Sequence, residues 1–455
     1  MGSDWKELRL NQIINLIGGG TPKRSESSYW GGNIPWLSVK DFNNDCRHVF
    51  KTEESITELC LNKSSTKILN AGQIIISARG TVGELSQVVK PMAFNQSCYG
   101  IDSKPNEAIN DFLYYLLKHS IDELKRICHG AVFDTITRET FNHILVQVPP
   151  LPEQKAIAHI LGSLDDKIEL NRRMNATLEG MAQALFKSWF VDFDPVIDNA
   201  LAAGNPIPDE LAERAEVRSK ALADGTANRE AAKQFPASFQ FTEEMGWIPV
   251  GWEAQGLYYI ANFINGAAYK GSDFIDDPDA LPVVKIAEIK NGISEQTKFT
   301  HTIKDKKYRI SDGEILLSWS GNPDTSIDTF VWTDGDGWLN QHIFKVSLKD
   351  EADRFFVYYQ LKFLRSVFAE IARDKQTTGL GHFTGADMKR LMVLKLRPEV
   401  LTEFNKTAAS LYQKHYQNRL AAKMLTKLRD TLLPKLISGE LRIPEAEKLT
   451  EEALA

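Results

Sequence analysis

The chain has 455 residues, of which 43% are hydrophobic and 25% are charged. A chain of this length is too long for one ordinary core and corresponds to about three units of ~150 residues. It contains no run of ~18 apolar residues that would predict a membrane span, and "MGSDWKELRL" lacks a basic-then-apolar signal pattern, so we expect a cytoplasmic protein. A net charge of −6 and a pI near 5.9 argue against nucleic-acid binding by bulk positive charge, although local basic surfaces stay possible.

The predicted elements follow a simple order along the chain. Short β-branched runs bounded by glycine, such as "QIIISA" and "EILLSW", predict strands, and helical spacing in "DFLYYLLKHSIDELKRI" and "RFFVYYQLKFLRSVFAEIA" predicts helices. The predicted segments are a first mixed domain at 1–150, a long helix at 151–195, a linker at 196–250, a second mixed domain at 251–397, a second long helix at 398–440 and a tail at 441–455. The linker is rich in Ala, Glu, Asp and Pro, so we expect it to be mostly solvated with one helical piece.

The two mixed domains are copies of one module. Aligning "DWKELRLNQIINLIGGGTPK" with "GWEAQGLYYIANFINGAAYK" matches Trp5 with Trp252 and Lys23 with Lys270, an offset of 247 in both cases (252 − 5 and 270 − 23). "AGQIIISARGTVG" likewise resembles "DGEILLSWSGNPD". Repetition from one end to the other predicts an α+β protein with two tandem modules, each a mixed domain followed by a long α-helix. A break in the linker near 223–232 should then release two separately folding halves.

Both long helices carry a heptad seam interrupted by asparagine. Steps of three and four residues, with a register-fixing polar residue, predict that the helices pair with each other as an antiparallel coiled coil. The alternative is that each helix packs only on its own domain. The residues expected to pair are Leu161, Leu164, Ile168, Asn171, Leu178, Leu185, Leu411, Asn418, Leu425 and Leu432.

Motifs for catalysis and metal binding are weak in this sequence. The four cysteines include no CxxC pair, which argues against a zinc site or a disulfide framework. "GGGTPKRS" lacks the Gly-Lys-Ser/Thr ending of a phosphate loop, and no Asn/Asp-Pro-Pro-aromatic methyltransferase loop occurs. Pro278-Asp279 followed by Glu288-Ile289-Lys290 is similar to a nuclease carboxylate-lysine pattern, but the first module has no equivalent. We therefore expect no catalytic residue and no metal ligand.

Several motifs together resemble the specificity (S) subunit of type I restriction-modification systems. They are "GGTPKRSESSYWGGNIPWLSVKDF", "ISARGTVG", "PPLPEQKAIAHILGSLDDKIELNRR", "FKSWFVDFDPV", "FPASFQFTEEMGWIPVGWE" and "LLPKLISGEL", in this order. The second module departs from the pattern at "INGAAYKGSDF" and "SWSGNPD". The resemblance implies that each mixed domain is a target recognition domain for one half of a split, asymmetric sequence in double-stranded DNA. It also implies that the helices hold these domains apart and bind two methyltransferase subunits, which restriction/translocase subunits join.

The same resemblance places the cofactors elsewhere and suggests where DNA is read. S-adenosylmethionine, ATP and Mg²⁺ would belong to the partner subunits, and this chain would bind no cofactor. Base edges are read by side-chain hydrogen bonds, so the candidates are polar residues of the matched loops. In the first domain they are Lys23, Arg24, Ser38, Lys40, Arg79, Thr81, Asn95 and Gln96. In the second they are Lys270, Lys285, Lys290, Ser318, Trp319, Ser320, Asn322, Asn340, Gln341 and His342.

Two other functions stay open at the level of sequence. One is an autonomous two-domain DNA nuclease or methyltransferase, and the other is a coiled-coil adaptor that does not bind DNA.

Overall fold

The computed structural model describes residues 4–42, 46–128, 135–277, 279–376 and 380–454. The chain forms two compact units: unit 1 comprises Met1–Arg173 and Asn418–Ala455, and unit 2 comprises Met174–Gln417. Both boundaries fall inside long helices, so each unit contains one segment of each helix. In the described ranges, no helix has both the length and the apolar character needed to cross a membrane.

The first mixed domain is built on two sheets. Its elements are β1 (Lys6–Arg9), α1 (Leu10–Ile13), β2 (Ile14–Gly18), β3 (Trp30–Leu37), β4 (His48–Val49), β5 (Glu54–Ile56), α2 (Glu58–Lys63), β6 (Ile68–Leu69), β7 (Ile74–Ser77), β8 (Leu85–Val88), β9 (Met92–Phe94), β10 (Cys98–Ser103), α3 (Asn110–Cys128) and β11 (Leu145–Val148). The strand orders are β2-β10-β7-β8-β4 and β5-β3-β9-β6, and β1 pairs with β11.

A long helix and a compact connection follow. They comprise α4 (Leu151–Phe190), α5 (Asp194–Ala203), α6 (Ala212–Ala223), α7 (Arg229–Ala232), β12 (Phe239–Thr242) and β13 (Gly246–Pro249). The predicted linker is thus folded into three helices and a hairpin. Arg214 forms a bidentate ion pair with Asp194, and Arg218 forms one with Asp198; both carboxylates are buried. These pairs attach α6 to α5, so this part of the connection is less solvated than the sequence indicates.

The second mixed domain and the last helices complete the chain. Their elements are β14 (Glu253–Gly256), β15 (Ala261–Asn265), β16 (Leu281–Val284), α8 (Ile286–Asn291), β17 (Phe299–Thr300), β18 (Arg309–Ile310), β19 (Ile315–Ser318), β20 (Ser320–Gly321), β21 (Asp328–Val331), β22 (Gly337–Leu339), β23 (Ile343–Leu348), α9 (Arg354–Phe363), α10 (Arg365–Asp374), β24 (Gly381–His382), α11 (Gly385–Arg390), β25 (Met392–Lys395), α12 (Pro398–Ile437) and α13 (Ile443–Leu454). The single helix predicted from "RFFVYYQLKFLRSVFAEIA" is divided into α9 and α10 at Leu364.

The strand pairing confirms the internal repeat. The order β15-β23-β19-β21 in the second domain reproduces β2-β10-β7-β8, and β17-β16-β22-β18 reproduces β5-β3-β9-β6. β3 is parallel to β9, with Trp36 opposite Ala93, and β16 is parallel to β22, with Val283 opposite Trp338. Since a parallel pair within a mostly antiparallel sheet recurs at matching positions, the two domains share one topology.

Within unit 1, α3 packs against the first segment of α4 and the last segment of α12. The apolar core includes Phe112 of α3, Leu161 and Leu164 of α4, and Leu425 and Leu432 of α12, all less than 5% exposed. These α4 and α12 side chains lie on the predicted seam. The apolar faces of the two helices are therefore buried against each other and against the first domain.

Unit 2 contains the complementary helix segments. The ring of Phe190, near the end of α4, lies 5.0 Å from that of Phe404 near the start of α12, and 6.2 Å from that of Trp252. Unit 1 contains the start of α4 and the end of α12, and unit 2 contains the end of α4 and the start of α12. The two helices therefore run antiparallel. The predicted pairing is confirmed, and the alternative that each helix packs only on its own domain is wrong.

The composition of the units changes what a break in the connection should do. If the chain is divided into two fragments at the exposed turn 224–228, we expect the fragments to fold only when they associate with each other. The reason is that each unit combines residues from both fragments. When both are co-expressed, a tag on the first fragment should recover the second in equal amount. A tagged fragment that folds alone and recovers no partner would instead support the independent halves expected from the repeat.

Candidate nucleic-acid interface

Three predicted loops of the first domain meet at one edge. The N–H of Gly20 donates to the carbonyl oxygen of Phe94 at 3.0 Å, and the N–H of Ala78 donates to that of Ser97 at 2.8 Å. A Cβ atom on Gly19 would lie 2.0 Å from the Asn95 carbonyl oxygen, so only glycine permits this approach. The backbone therefore joins the loops that follow β2, β7 and β9.

The turn after β7 holds Arg79 and Thr81 at the surface. The buried hydroxyl of Ser77 donates to the carbonyl oxygen of Thr81 and accepts from the N–H of Glu84 at 2.8 Å. Gly80 and Gly83 adopt positive φ angles of 81° and 87°. Internal hydrogen bonds fix the turn, and the Arg79 side chain is exposed at its tip. An exposed guanidinium on a fixed turn is suited to contact a base edge or a phosphate.

The other first-domain candidates differ in whether their side chains already have partners. The guanidinium of Arg24 lies 4.0 Å above the Trp30 ring and forms an ion pair with Glu54. The hydroxyl and N–H of Ser38 both donate to Asp41, which caps a short 3-10 helix. Lys23 and Gln96 are exposed, while Lys40 lies 4.0 Å from Glu53 in an exposed pair. Arg79 and Thr81 follow β7, and Asn95 and Gln96 follow β9, so these four candidates lie on loops that backbone hydrogen bonds join.

The second domain repeats the close approach of its loops. A Cβ on Gly266 would lie 2.2 Å from the Asn340 carbonyl oxygen, and the N–H of Ala267 donates to Leu339 at 2.9 Å. The indole N–H of Trp319 donates to Asn265 at 2.9 Å, and its ring lies 5.8 Å from that of His342. Ser320 and Asn340 are partly exposed, and Gln341 and His342 are exposed.

The remaining second-domain candidates differ in their availability. Ser318 is fully buried, and Asn322 accepts the N–H groups of Asp324 and Thr325 to close its own turn. Lys285 lies 4.9 Å above the Phe274 ring, and Lys290 donates to the Thr325 carbonyl oxygen at 2.8 Å. Lys270 is exposed.

The structure also brings His382 to this surface, which the sequence does not indicate as a site residue. Its imidazole is exposed and lies 6.3 Å from the Trp319 ring, because β24 pairs with β20. The available signal was the match between Thr137 and Thr384, again 247 apart (384 − 137), which aligns the segments just before them.

In unit 1 the helix pair carries a buried ion cluster. Arg429 of α12 donates to Asp165 of α4 at 2.6 Å, and Tyr115 of α3 donates to the other oxygen of Asp165, also at 2.6 Å. Burial disfavours the charged form of Arg429, but Asp165 and Asp430 outweigh it and raise its pKa. The cluster links the first domain to both helices with directional bonds.

The predicted seam residues are buried to different degrees. Leu161, Leu164, Ile168, Leu425 and Leu432 belong to the core of unit 1, and Leu185 and Leu411 pack on the core of unit 2. Asn171 and Asn418 are buried, and neither side-chain amide nitrogen has a hydrogen-bond partner among the described residues. Leu178 is half-buried and lies outside both cores; Phe186, Trp189 and Phe190 supply the main contacts of α4 in unit 2 instead.

The comparison with protein families decides the family. The profile of the "Type I restriction modification DNA specificity domain" matches residues 2–180 and again 249–394, which is more than half of the chain and covers both mixed domains. The chain belongs to the type I restriction-modification specificity family. The sequence resemblance is thereby confirmed, and so is the prediction of two tandem domains.

Known members of the specificity family match this chain over almost its whole length. It is 26% identical to the type I restriction enzyme MjaIX specificity subunit of Methanocaldococcus jannaschii, covering 97% of this chain and 94% of the relative. It is 28% identical to the HindI specificity subunit of Haemophilus influenzae, covering 96% and 100%. The crystal structure of a type I S subunit from M. genitalium has the same fold, with a TM-score of 0.54, 15% identity and 96% coverage of both chains.

The nuclease-like pattern has a structural explanation in this specificity-family chain. Glu288 is buried, accepts the Lys285 N–H at 2.9 Å as a helix cap and accepts the Thr297 hydroxyl at 3.2 Å. Pro278 lies outside the described residues. Across the described ranges, no three His, Cys, Asp or Glu side chains are grouped to hold a metal ion. The geometry therefore gives Glu288 a capping role.

Proposed function

We propose that this chain is the DNA sequence-specificity subunit of a type I restriction-modification complex. Each recognition domain binds one half-site of a bipartite, asymmetric DNA target. The observation that carries this proposal is the duplication itself: one strand topology, used twice, presents different side chains from corresponding loops. Arg79 of the first domain corresponds to Ser320 of the second. The two domains therefore offer different hydrogen-bonding groups at this position.

The chemistry of the loops fits readout of base edges. The major groove presents a distinct pattern of donors and acceptors for each base pair, which Arg, Asn, Gln and Lys side chains recognise. Exposed groups of these types lie on the joined loops of both domains. The negative total charge leaves phosphate neutralisation to local lysines and to partner subunits. Because the two loop sets differ, the target is not a palindrome.

The helix pair serves as spacer and scaffold in this proposal. Helices α4 and α12 each contain 40 residues, or about 60 Å at 1.5 Å per residue. We infer that they set the gap between half-sites and bind two methyltransferase subunits, which restriction subunits join. S-adenosylmethionine, ATP and Mg²⁺ bind to those partner subunits, and this chain contributes specificity without a catalytic residue.

Methylation mapping of a host genome tests the proposal directly. The chain is co-expressed with its methyltransferase subunit, and modified bases are mapped with and without the gene for this chain. We expect modification at one split, asymmetric sequence only when the chain is present. Modification that is independent of the chain, or that follows one uninterrupted sequence, would contradict the proposed function.

Two assays separate the other functional classes. Purified chain is incubated with DNA, Mg²⁺ and S-adenosylmethionine, and cleavage or methyl transfer by the chain alone would establish an autonomous enzyme. DNA binding is also measured with the methyltransferase subunit present. The absence of any sequence-selective shift of DNA, even with the methyltransferase subunit present, would favour the coiled-coil adaptor that does not bind DNA.

Replacement of Arg79 tests readout by the first domain. We expect Arg79→Ala to cost about 1–3 kcal/mol of discrimination at one position of the first half-site, because a bidentate contact to a base is lost. The matched control is Arg126→Ala on α3, whose side chain is 79% exposed and pairs with Glu123. Bind-and-sequence selection with the assembled complex measures both. Equal weakening on all sequences would identify Arg79 as a phosphate contact.

A further inference from the structure

In the second recognition domain, His382 lies on β24, a third segment that packs beside the two candidate DNA-reading loops after β19 and β22. The N–H of Phe383 donates to the Trp319 carbonyl oxygen at 3.1 Å, and Ser320 lies opposite His382 in the β20–β24 ladder. A Cβ on Gly381 would lie 2.1 Å from the Ala372 carbonyl oxygen, so a glycine here lets the segment pass close to α10. The position of His382 is thus set by backbone contacts on both sides.

The first domain uses the same arrangement. The N–H of Ile136 donates to the Ala78 carbonyl oxygen at 3.0 Å, and Ile136 and Phe383 are 247 residues apart (383 − 136), the offset of the repeat. The residue preceding each apolar anchor is Thr135 in the first domain and His382 in the second. A return of the chain to the same loop in both copies presents a different polar side chain at one shared position.

The exposed imidazole of His382 lies beside the aromatic ring of Trp319. Trp319 is anchored by its hydrogen bond to Asn265, and the His342 and His382 rings both lie near it, at 5.8 and 6.3 Å. The imidazole of His382 carries one nitrogen that donates and one that accepts when neutral, so it can pair with base edges that present either group.

We propose that His382 is a specificity-determining residue that contacts a base of the second half-site, beside Trp319 and His342. This inference rests on the proposed function, since it assigns a reading residue to the same DNA-binding surface. The segment containing His382 is then a third reading element, in addition to the loops after β19 and β22. Thr135 occupies the corresponding position in the first domain.

The test is bind-and-sequence selection with the assembled methyltransferase complex on DNA randomised in both half-sites. We expect His382→Ala to lower discrimination at one position of the second half-site roughly 5- to 100-fold, the range for loss of a base contact. The first half-site should be selected as in the wild type, which also shows that the variant complex is folded and assembled. The matched control is His301→Ala in the same domain, whose side chain is 61% exposed and pairs with Asp277.

The outcomes distinguish this inference from the proposed function. If the wild type selects a split sequence and His382→Ala leaves every position unchanged, His382 is not a reading residue. Uniform weakening on all sequences would make it a phosphate contact and also overturn the inference. If the wild type selects no split sequence, the proposed function itself fails.

Discussion

Lengthening both long helices by four residues is expected to widen the gap between the two half-sites by one or two base pairs. Four residues add about one turn, or ~6 Å, and nearly preserve the heptad seam. DNA rises ~3.4 Å per base pair. Both half-site sequences should stay the same, because the recognition loops are unchanged. Methylation mapping of the assembled complex measures the new gap.

The register of unit 2 indicates where the two insertions belong. Phe190 packs on Phe404, so twelve residues back along α4 (190 − 12) and twelve forward along α12 (404 + 12) place Leu178 opposite Tyr416. Duplicating residues 175–178 and 413–416 therefore lengthens both helices at matching points. The control is a four-residue insertion in the turn at 224–228, which should leave the gap unchanged. Altered half-sites with an unchanged gap would contradict the spacer role.

Removal of Arg429 is expected to destabilise unit 1 by about 3–5 kcal/mol. Arg429→Met leaves the Asp165 carboxylate buried, with Tyr115 as its remaining hydrogen-bond donor among the contacts described above. Breaking a buried pair from one side carries this cost, because an uncompensated charge stays in a region of low dielectric. Urea unfolding of the full chain measures the free-energy change, and hydrogen exchange in α3 and residues 151–173 localises it to unit 1.

Two further variants complete the test of the ion cluster. Arg373→Met breaks an exposed pair with Asp324, whose side chains are 51% and 70% exposed, and should cost less than ~1 kcal/mol. The double variant Asp165→Asn with Arg429→Met removes both charges and should recover a large part of the loss. If Arg429→Met costs no more than Arg373→Met, the buried pair is not a major stabilising contact.

The repeat made much of the fold predictable from the sequence. A constant offset of 247 residues predicts two domains of the same topology, and the strand orders confirm it. The helices were predicted from their heptad seams, and in the structure they begin at Leu151 and Pro398. The repeat alone does not predict the composition of the units, because it divides the chain into two consecutive halves, whereas the antiparallel pairing of α4 and α12 places residues 418–455 with the first domain.

The site was predictable as loops but less so as individual residues. Gly19 and Gly266 were aligned by sequence, and their close approach to the loops at Asn95 and Asn340 shows why the alignment placed these segments together. Arg24 and Ser38 could not be recognised as partners of Glu54 and Asp41, since side-chain pairing depends on loop conformation. His382 was missed because the residues before Thr384 match poorly between the copies.

The shared composition of unit 1 has a consequence for synthesis on the ribosome. Residues 1–173 leave the ribosome first, yet their packing partners on α12 (residues 418–437) follow only after all of unit 2 has been made. Unit 2 is continuous in sequence, so it can complete its core while the first mixed domain still lacks its packing partners on α12. The first mixed domain therefore completes its core after unit 2, and a translational pause late in α12 would prolong the exposure of that unfinished core.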